Sequence, residues 1–274
     1  MVNRNRIKIG IEIECCYNRD FVDFSLSGYH SGNFNKKTWK IEGDGSLRNS
    51  NIFEDEGTAE FISKVLGGKK TYIKALKEFQ NLFNGEKLEN VLDFNTSCGN
   101  HIHIGLNNKR KYHNKLSFDT FKELRERYFK EIKNSNVLSE DTKQKILNHY
   151  FRGYAQKIKK ASWESGTGSR GVEFNKQSEN SGCGLEWRSV NLYEVNSWAE
   201  FFEVFEIVYN CVEWLFKKRT TSHQSKFKTI RLNRLRLREI QNDNDKKIII
   251  EIPNNNNQNI NIQIKNSEIL QCVI

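Results

Sequence analysis

Proline occurs once and methionine once in 274 residues. With almost no fixed kinks, regular elements are expected to run until glycine, asparagine or charge stops them. Long apolar runs are missing too. No stretch approaches the roughly eighteen residues that a membrane-spanning helix needs, so no membrane partner is expected. The run from Met1 to Arg6 lacks the apolar core of a signal peptide. The six cysteines, Cys15, Cys16, Cys98, Cys183, Cys211 and Cys272, form no CxxC pair and no disulfide framework, which points to reduced thiols and a cytoplasmic protein. A Walker A sequence is absent. Gly166 to Gly171 spells GxGxxG, yet no strand leads into it and no apolar-periodic helix follows, so a dinucleotide fold is excluded by context.

Positive charge is abundant. Lysine and arginine number 44 against 34 acids, a net charge of +10. Such a balance favours anionic partners such as nucleotides, nucleic acid or acidic peptides. The richness in Asn, Lys and Ile also fits a coding bias, so a single lysine cluster is read as solvated surface.

Three stretches alternate with the period of a strand. Ile7, Ile9, Ile11 and Ile13 alternate with Lys8, Gly10, Glu12 and Glu14. His101 and His103 alternate with Ile102 and Ile104, and Glu186 and Arg188 with Leu185 and Trp187. Side chains two apart share a face, so each strand offers ionisable groups on one side and bulk on the other. A fourth strand, 57 to 63, places Glu60 beside Thr58 and Ile62. If these strands share one sheet, carboxylates, imidazoles and a guanidinium meet on its polar face, the make-up of a metal and phosphate site.

Between them the chain reads as follows. The first strand covers 7 to 15, Tyr29 to Asn35 is a short strand, and Asp44-Gly45 is a turn, with Asp44 as ligand the lesser alternative. Helices are expected at 69 to 84, 118 to 133, 139 to 151 and 197 to 217 from apolar spacing of three and four. The histidine strand covers 100 to 106, and 160 to 183 is polar and irregular. Composition shifts near 219. Residues 1–219 are expected to form a catalytic domain, and 220–274 a small basic β appendage with strands at 247 to 252 and 260 to 265 joined through Asn254 to Asn257.

The His-x-His pair alone fits zinc with Cys98 or Cys183, or two plain polar strand residues. Opposite Glu12, Glu14, Glu60 and Glu186, however, oxygen donors outnumber nitrogen, which favours Mg²⁺ or Mn²⁺. Four carboxylates in one place repel unless cations hold them, so two or more ions are expected.

These residues carry a resemblance. Gly10 to Glu14, Asp44 to Leu47, Glu60 to Ser63, Cys98 to Ile104, Arg170 with Asn175 five residues on, and Gly184 to Arg188 occur in the order of the amidoligase family. That family belongs to the carboxylate–amine ligase superfamily, with glutamine synthetase and glutamate–cysteine ligase. The similarity spans about residues 7 to 216. It implies an α+β fold, an antiparallel sheet with helices on one face as in the glutamine synthetase catalytic domain, whose open face binds ATP and two or more Mg²⁺ ions. Glu12, Glu14, Glu60, His101 and Glu186 are implied as metal ligands. His103, Arg170 and Arg188 are implied as phosphate contacts and catalytic groups, with Asn175 beside them, and Arg152 competes with Arg170 for one role. The implied reaction joins a carboxylate and an amine, on an amino acid, a peptide or a protein side chain. A metal-dependent hydrolase or nuclease without ATP, and a basic nucleic-acid-binding protein using Arg231 to Arg238, are the rival readings.

Overall fold

The computed structural model describes residues 8–22, 24–28, 34, 36–105, 118–151, 155–157, 159, 172–176, 184–232, 236–242, 245–253 and 259–264, with side chains described as far as 216. By compactness the chain divides into two units, Met1–Phe216 and Lys217–Ile274.

The first unit is α+β. Its strands and helices, in chain order, are β1 (Lys8–Asn18), β2 (Trp39–Glu42), β3 (Glu56–Ser63), β4 (Leu66–Gly67), α1 (Gly68–Asn81), α2 (Leu88–Val91), β5 (Leu92–Asp93), β6 (Asn100–Gly105), α3 (Phe118–Asn134), α4 (Glu140–Asn148), β7 (Phe174–Lys176), β8 (Gly184–Val190) and α5 (Trp198–Leu232). The sheet runs β2-β3-β1-β6-β8-β7, with β4 and β5 on the ends of β1. Every strand pair in it is antiparallel. β1 is central because its eleven residues, alternating from Lys8 to Cys15, form one long uninterrupted strand, so it can pair on both edges at once.

The apolar halves of these alternations make the core. Ile9, Ile11, Ile13 and Cys15 of β1, Phe61 of β3, Ile102 and Ile104 of β6, and Leu185 and Trp187 of β8 are all at most 1% exposed. Helices cover that face. In α1, Tyr72, Ala75, Leu76 and Phe79 recur at helical spacing and are buried. Phe79 meets Phe61 edge-on at 4.9 Å and stacks on Phe201 of α5 at 5.4 Å. From α3, Tyr128 meets Trp187 at 5.1 Å, and Phe121 meets Phe174 of β7 at 5.0 Å. Each fully buried ring of this kind contributes about 1.5–3 kcal/mol relative to an exposed one. Two of the polar tips are satisfied: Trp39 Nε1 donates to the Ala75 carbonyl at 2.9 Å and Tyr72 Oη to that of Phe205 at 3.0 Å. α4 starts on Ser139, whose hydroxyl accepts from the Thr142 amide at 3.1 Å, and Glu200 of α5 accepts from the Ser139 amide at 2.8 Å.

Three short strands, β4, β5 and β7, escape sequence reading because two or three residues carry no period. The expected strand at Tyr29 to Asn35 lies outside the described residues except for Phe34. Described by itself, the second unit contains a three-stranded antiparallel sheet, β11-β10-β9, formed by β9 (Arg236–Asn242), β10 (Asp245–Pro253) and β11 (Asn259–Ile264). The stretch from 220 does not open in a strand pattern. α5 continues to Leu232, and Arg231 belongs to it, because no proline or glycine interrupts 198 to 232. Asn254 to Asn257 lie outside the described residues. Among the described residues, no helix is long and apolar enough to cross a membrane.

Candidate functional site

Register brings the polar halves of the alternations together. Glu12 of β1 pairs with His101 of β6, Gly10 with His103, and His103 with Glu186 of β8. Directly paired residues project to the same face. Gly10 has a steric role here: a Cβ added to it would lie 3.2 Å from the His103 Cβ, so glycine lets the imidazole lean along β1.

Glu12 is the hub. His101 Nδ1 lies 3.0 Å from its Oε2, and His103 Nε2 lies 2.8 Å from its Oε1. His101 Nδ1 is also 3.3 Å from Glu186 Oε1. Glu186 is held from the far side, by the Arg188 guanidinium on Oε1 and by Asn175 Nδ2, which donates to Oε2 at 3.1 Å. Burial pushes the Glu12 carboxyl up, but hydrogen bonds from His101 and His103 outweigh it and hold the group well below the usual carboxylate range.

Glu14 and Glu60 form a second acidic group. They are direct partners across β1 and β3, an arrangement that is repulsive when both are ionised. Glu14 Oε2 accepts the Gly99 amide. Burial raises Glu14, and burial with the charges of Glu12 and Glu14 pushes Glu60 up to about 8. Asp44 makes the expected turn, its Oδ1 accepting the Ser46 amide at 2.8 Å, while its charge still reaches Glu14 and Glu60.

Do these residues suit a divalent ion? Among the described residues, Glu12, His103 and Glu186 each offer one ligand atom, all within 4.8 Å of one another. Ligands about 2.1 Å from an octahedral ion lie about 3 to 4.2 Å apart, a range inside that bound. The donors are mainly carboxylate oxygens, and the thiol of Cys98 is pushed up by its hydrogen bond with Cys16 and by burial, which disfavours a thiolate zinc site there. A cation would also relieve the Glu14–Glu60 repulsion. The cluster contains His103, whereas the resemblance gave the metal role to His101. Only register distinguishes the two, and His103 is the one directly opposite Glu186.

Arg152 and Arg170, the GxGxxG stretch and Cys183 lie outside the described residues. Sequence reasoning passed over Lys40 and Glu42, an ion pair at 2.6 Å, with Glu42 facing Glu60 across β2 and β3. Their signal was present in Trp39-Lys-Ile-Glu42, four residues of the same alternation. It also gave no sign of a cavity of about 1120 Å³ whose lining includes Glu14, His101 and Arg188 along with Asp93, Asn100 and Asn191.

No protein-family model matches the chain, and neither a curated protein nor a solved structure does.

Proposed function

We propose that this chain is an ATP- and Mg²⁺-dependent carboxylate–amine ligase of glutamine synthetase-like fold. The convergence of Glu12, His103, Glu186 and Arg188 on one sheet face carries the reading, and the ordered motif resemblance supports it. Glu12, His103 and Glu186 would hold one ion, Glu14 and Glu60 a second. Bound there, divalent ions screen the negative charge of a triphosphate.

The protein groups have distinct tasks. Asn175 and Arg188 hold Glu186 in one rotamer, so it needs little rearrangement to serve as a ligand. Arg188 keeps part of its planar fork for phosphate oxygens, since its Nε has no partner in the described structure. In the reaction, the terminal phosphoryl group of ATP moves to a substrate carboxylate oxygen, giving an acyl phosphate and ADP. An amine then attacks the acyl carbon; the C–N bond forms as the C–O bond to phosphate breaks, and the surplus amine proton leaves to solvent. No protein nucleophile is required.

The test is release of ADP and phosphate with Mg²⁺ and panels of acids and amines. Arg188→Lys keeps the charge but loses the fork, so turnover should fall about a hundredfold with a smaller change in nucleotide affinity. Glu186→Gln should abolish metal-dependent turnover. Metal-dependent cleavage without ATP, lost in Glu186→Gln, would establish a hydrolase instead. Salt-sensitive nucleic-acid binding indifferent to Glu12, without ATP turnover, would establish a binding protein.

A further inference from the structure

The cavity beside the acid–histidine cluster runs against the chain's overall charge. In a protein of net charge +10, the described residues of its lining include four carboxylates, Glu14, Glu89, Asp93 and Glu194, and two guanidiniums, Arg48 and Arg188. Three of the acids are already engaged: Glu14 accepts the Gly99 amide, Glu89 lies 3.8 Å from Lys87 Nζ, and Glu194 lies 3.3 Å from Lys145 Nζ. Asp93 differs. It pairs opposite Cys16 on β1, which puts it on the face of Glu12 and Glu14, and although the Ser50 side chain and the Phe94 amide hydrogen-bond its carboxyl, its Oδ2 is buried without a partner among the described residues.

Further unpartnered polar atoms line the same cavity. Asn100 is 1% exposed, and both its Oδ1 and Nδ2 lack a hydrogen bond. Asn191 donates through Nδ2 to the Ile146 carbonyl at 3.0 Å, which leaves its buried Oδ1 as the open end. Buried groups left without partners destabilise the fold, so several beside one cavity point to a ligand that completes them. Asp93 Oδ2 and Asn191 Oδ1 can only accept, so a ligand that meets them brings N–H donors. Phe94, Tyr150 and Leu192, all buried, add apolar wall suited to methylene groups. The volume far exceeds what ammonia requires, and pockets of about 300–1,000 Å³ take drug-sized molecules.

We infer that this cavity binds the amine substrate of the ligase proposed above, a primary ammonium on an aliphatic stem such as a lysine side chain, with Asp93 as its counter-ion and Asn191 as a further hydrogen-bond acceptor. The inference rests on the ligase reading for the word substrate, and on the cavity alone for the ligand class.

Calorimetric titration of the full chain with Nα-acetyl-lysine N-methylamide, with and without Mg²⁺ and a non-hydrolysable ATP analogue, tests it. The probe should bind, and its Nε-acetyl derivative should bind about tenfold or more weakly, as loss of a charged hydrogen bond implies. Asp93→Asn should weaken the probe similarly while leaving nucleotide affinity unchanged. Asn191→Leu should weaken it as well, and thermal melts would show that both variants are folded. Nucleotide binding without amine binding, or amine affinity indifferent to both folded variants, overturns the inference and leaves the ligase reading intact. Preference for Nα-acetyl-glutamate also overturns it. Asp93-dependent amine binding without any nucleotide binding upholds the pocket and removes the ligase reading.

Discussion

The two faces of β1 are built on opposite principles. On one, Ile9, Ile11, Ile13 and Cys15 are at most 1% exposed and lie in a core shared with aromatic rings from three helices. On the other, Glu12 and Glu14 face histidines and another glutamate across the neighbouring strands. The first face is stabilised many times over. The second holds charge at a cost that its own hydrogen bonds only partly offset. Stability and chemistry therefore reside on opposite sides of one strand, and substitutions should separate them.

The largest effect is expected on the apolar face. Phe79→Ala removes a ring that touches Phe61, Trp39 and Phe201, and should cost about 3–5 kcal/mol in urea denaturation. A loss below about 1 kcal/mol would mean that α1 is not seated on the sheet.

The polar face should respond to pH instead. Glu60 is raised from an ordinary value of 4.5 to about 8, so between those values the folded chain holds a proton that the unfolded chain has released. Without divalent ions, the stability contributed by protonated Glu60 should be fully present below pH 4.5 and be lost as pH rises towards 8, at up to about 1.4 kcal/mol per pH unit. Glu60→Gln should flatten that slope. A wild-type profile that instead rises across the window would contradict the buried acidic pair.

Mg²⁺ should act on the same face. At a free concentration about a hundredfold above its dissociation constant it should stabilise the fold by about 2.7 kcal/mol, and Glu186→Gln should lose most of this gain. An equal Mg²⁺ shift in wild type and variant would place the ion elsewhere. The smallest effect belongs to neither face. Lys69 and Glu206 pair at 2.6 Å but are about half exposed, so Lys69→Ala should change the unfolding free energy by less than about 1 kcal/mol.

The contrast explains what the sequence made legible. β1, β6 and β8 announce themselves because a sheet with one buried face imposes a period of two over six or more residues. α1 and α3 do so because their apolar spacing is set by the same core. β2 has the period but only four residues of it, so Lys40 and Glu42 went unnoticed. Asp93 carries no signal, since its orientation is fixed by pairing with Cys16 from a distant stretch. The choice between His101 and His103 is likewise a matter of register, and their sequence contexts are nearly alike. Asn100 is the instructive case. Alternation assigns it to the apolar side with Ile102, a local inconsistency, and there it sits buried with an unpartnered amide. Such violations concentrate at functional sites.

The order of the strands in the sheet has a consequence for synthesis. β1 is translated before β6 and β8, yet it lies beside β6, and the Glu12–His101 contact spans 89 residues of chain. While the ribosome is still making the segment up to Gly105, β1 has an open edge and its carboxylates lack their imidazole partners. Long-range pairing of this kind is slow, and an unpaired hydrophobic strand invites aggregation. The nascent chain is thus most vulnerable from the emergence of β1 until β6 docks, and a chaperone that shields strand edges during that interval should raise the yield of folded protein more than one that acts after release.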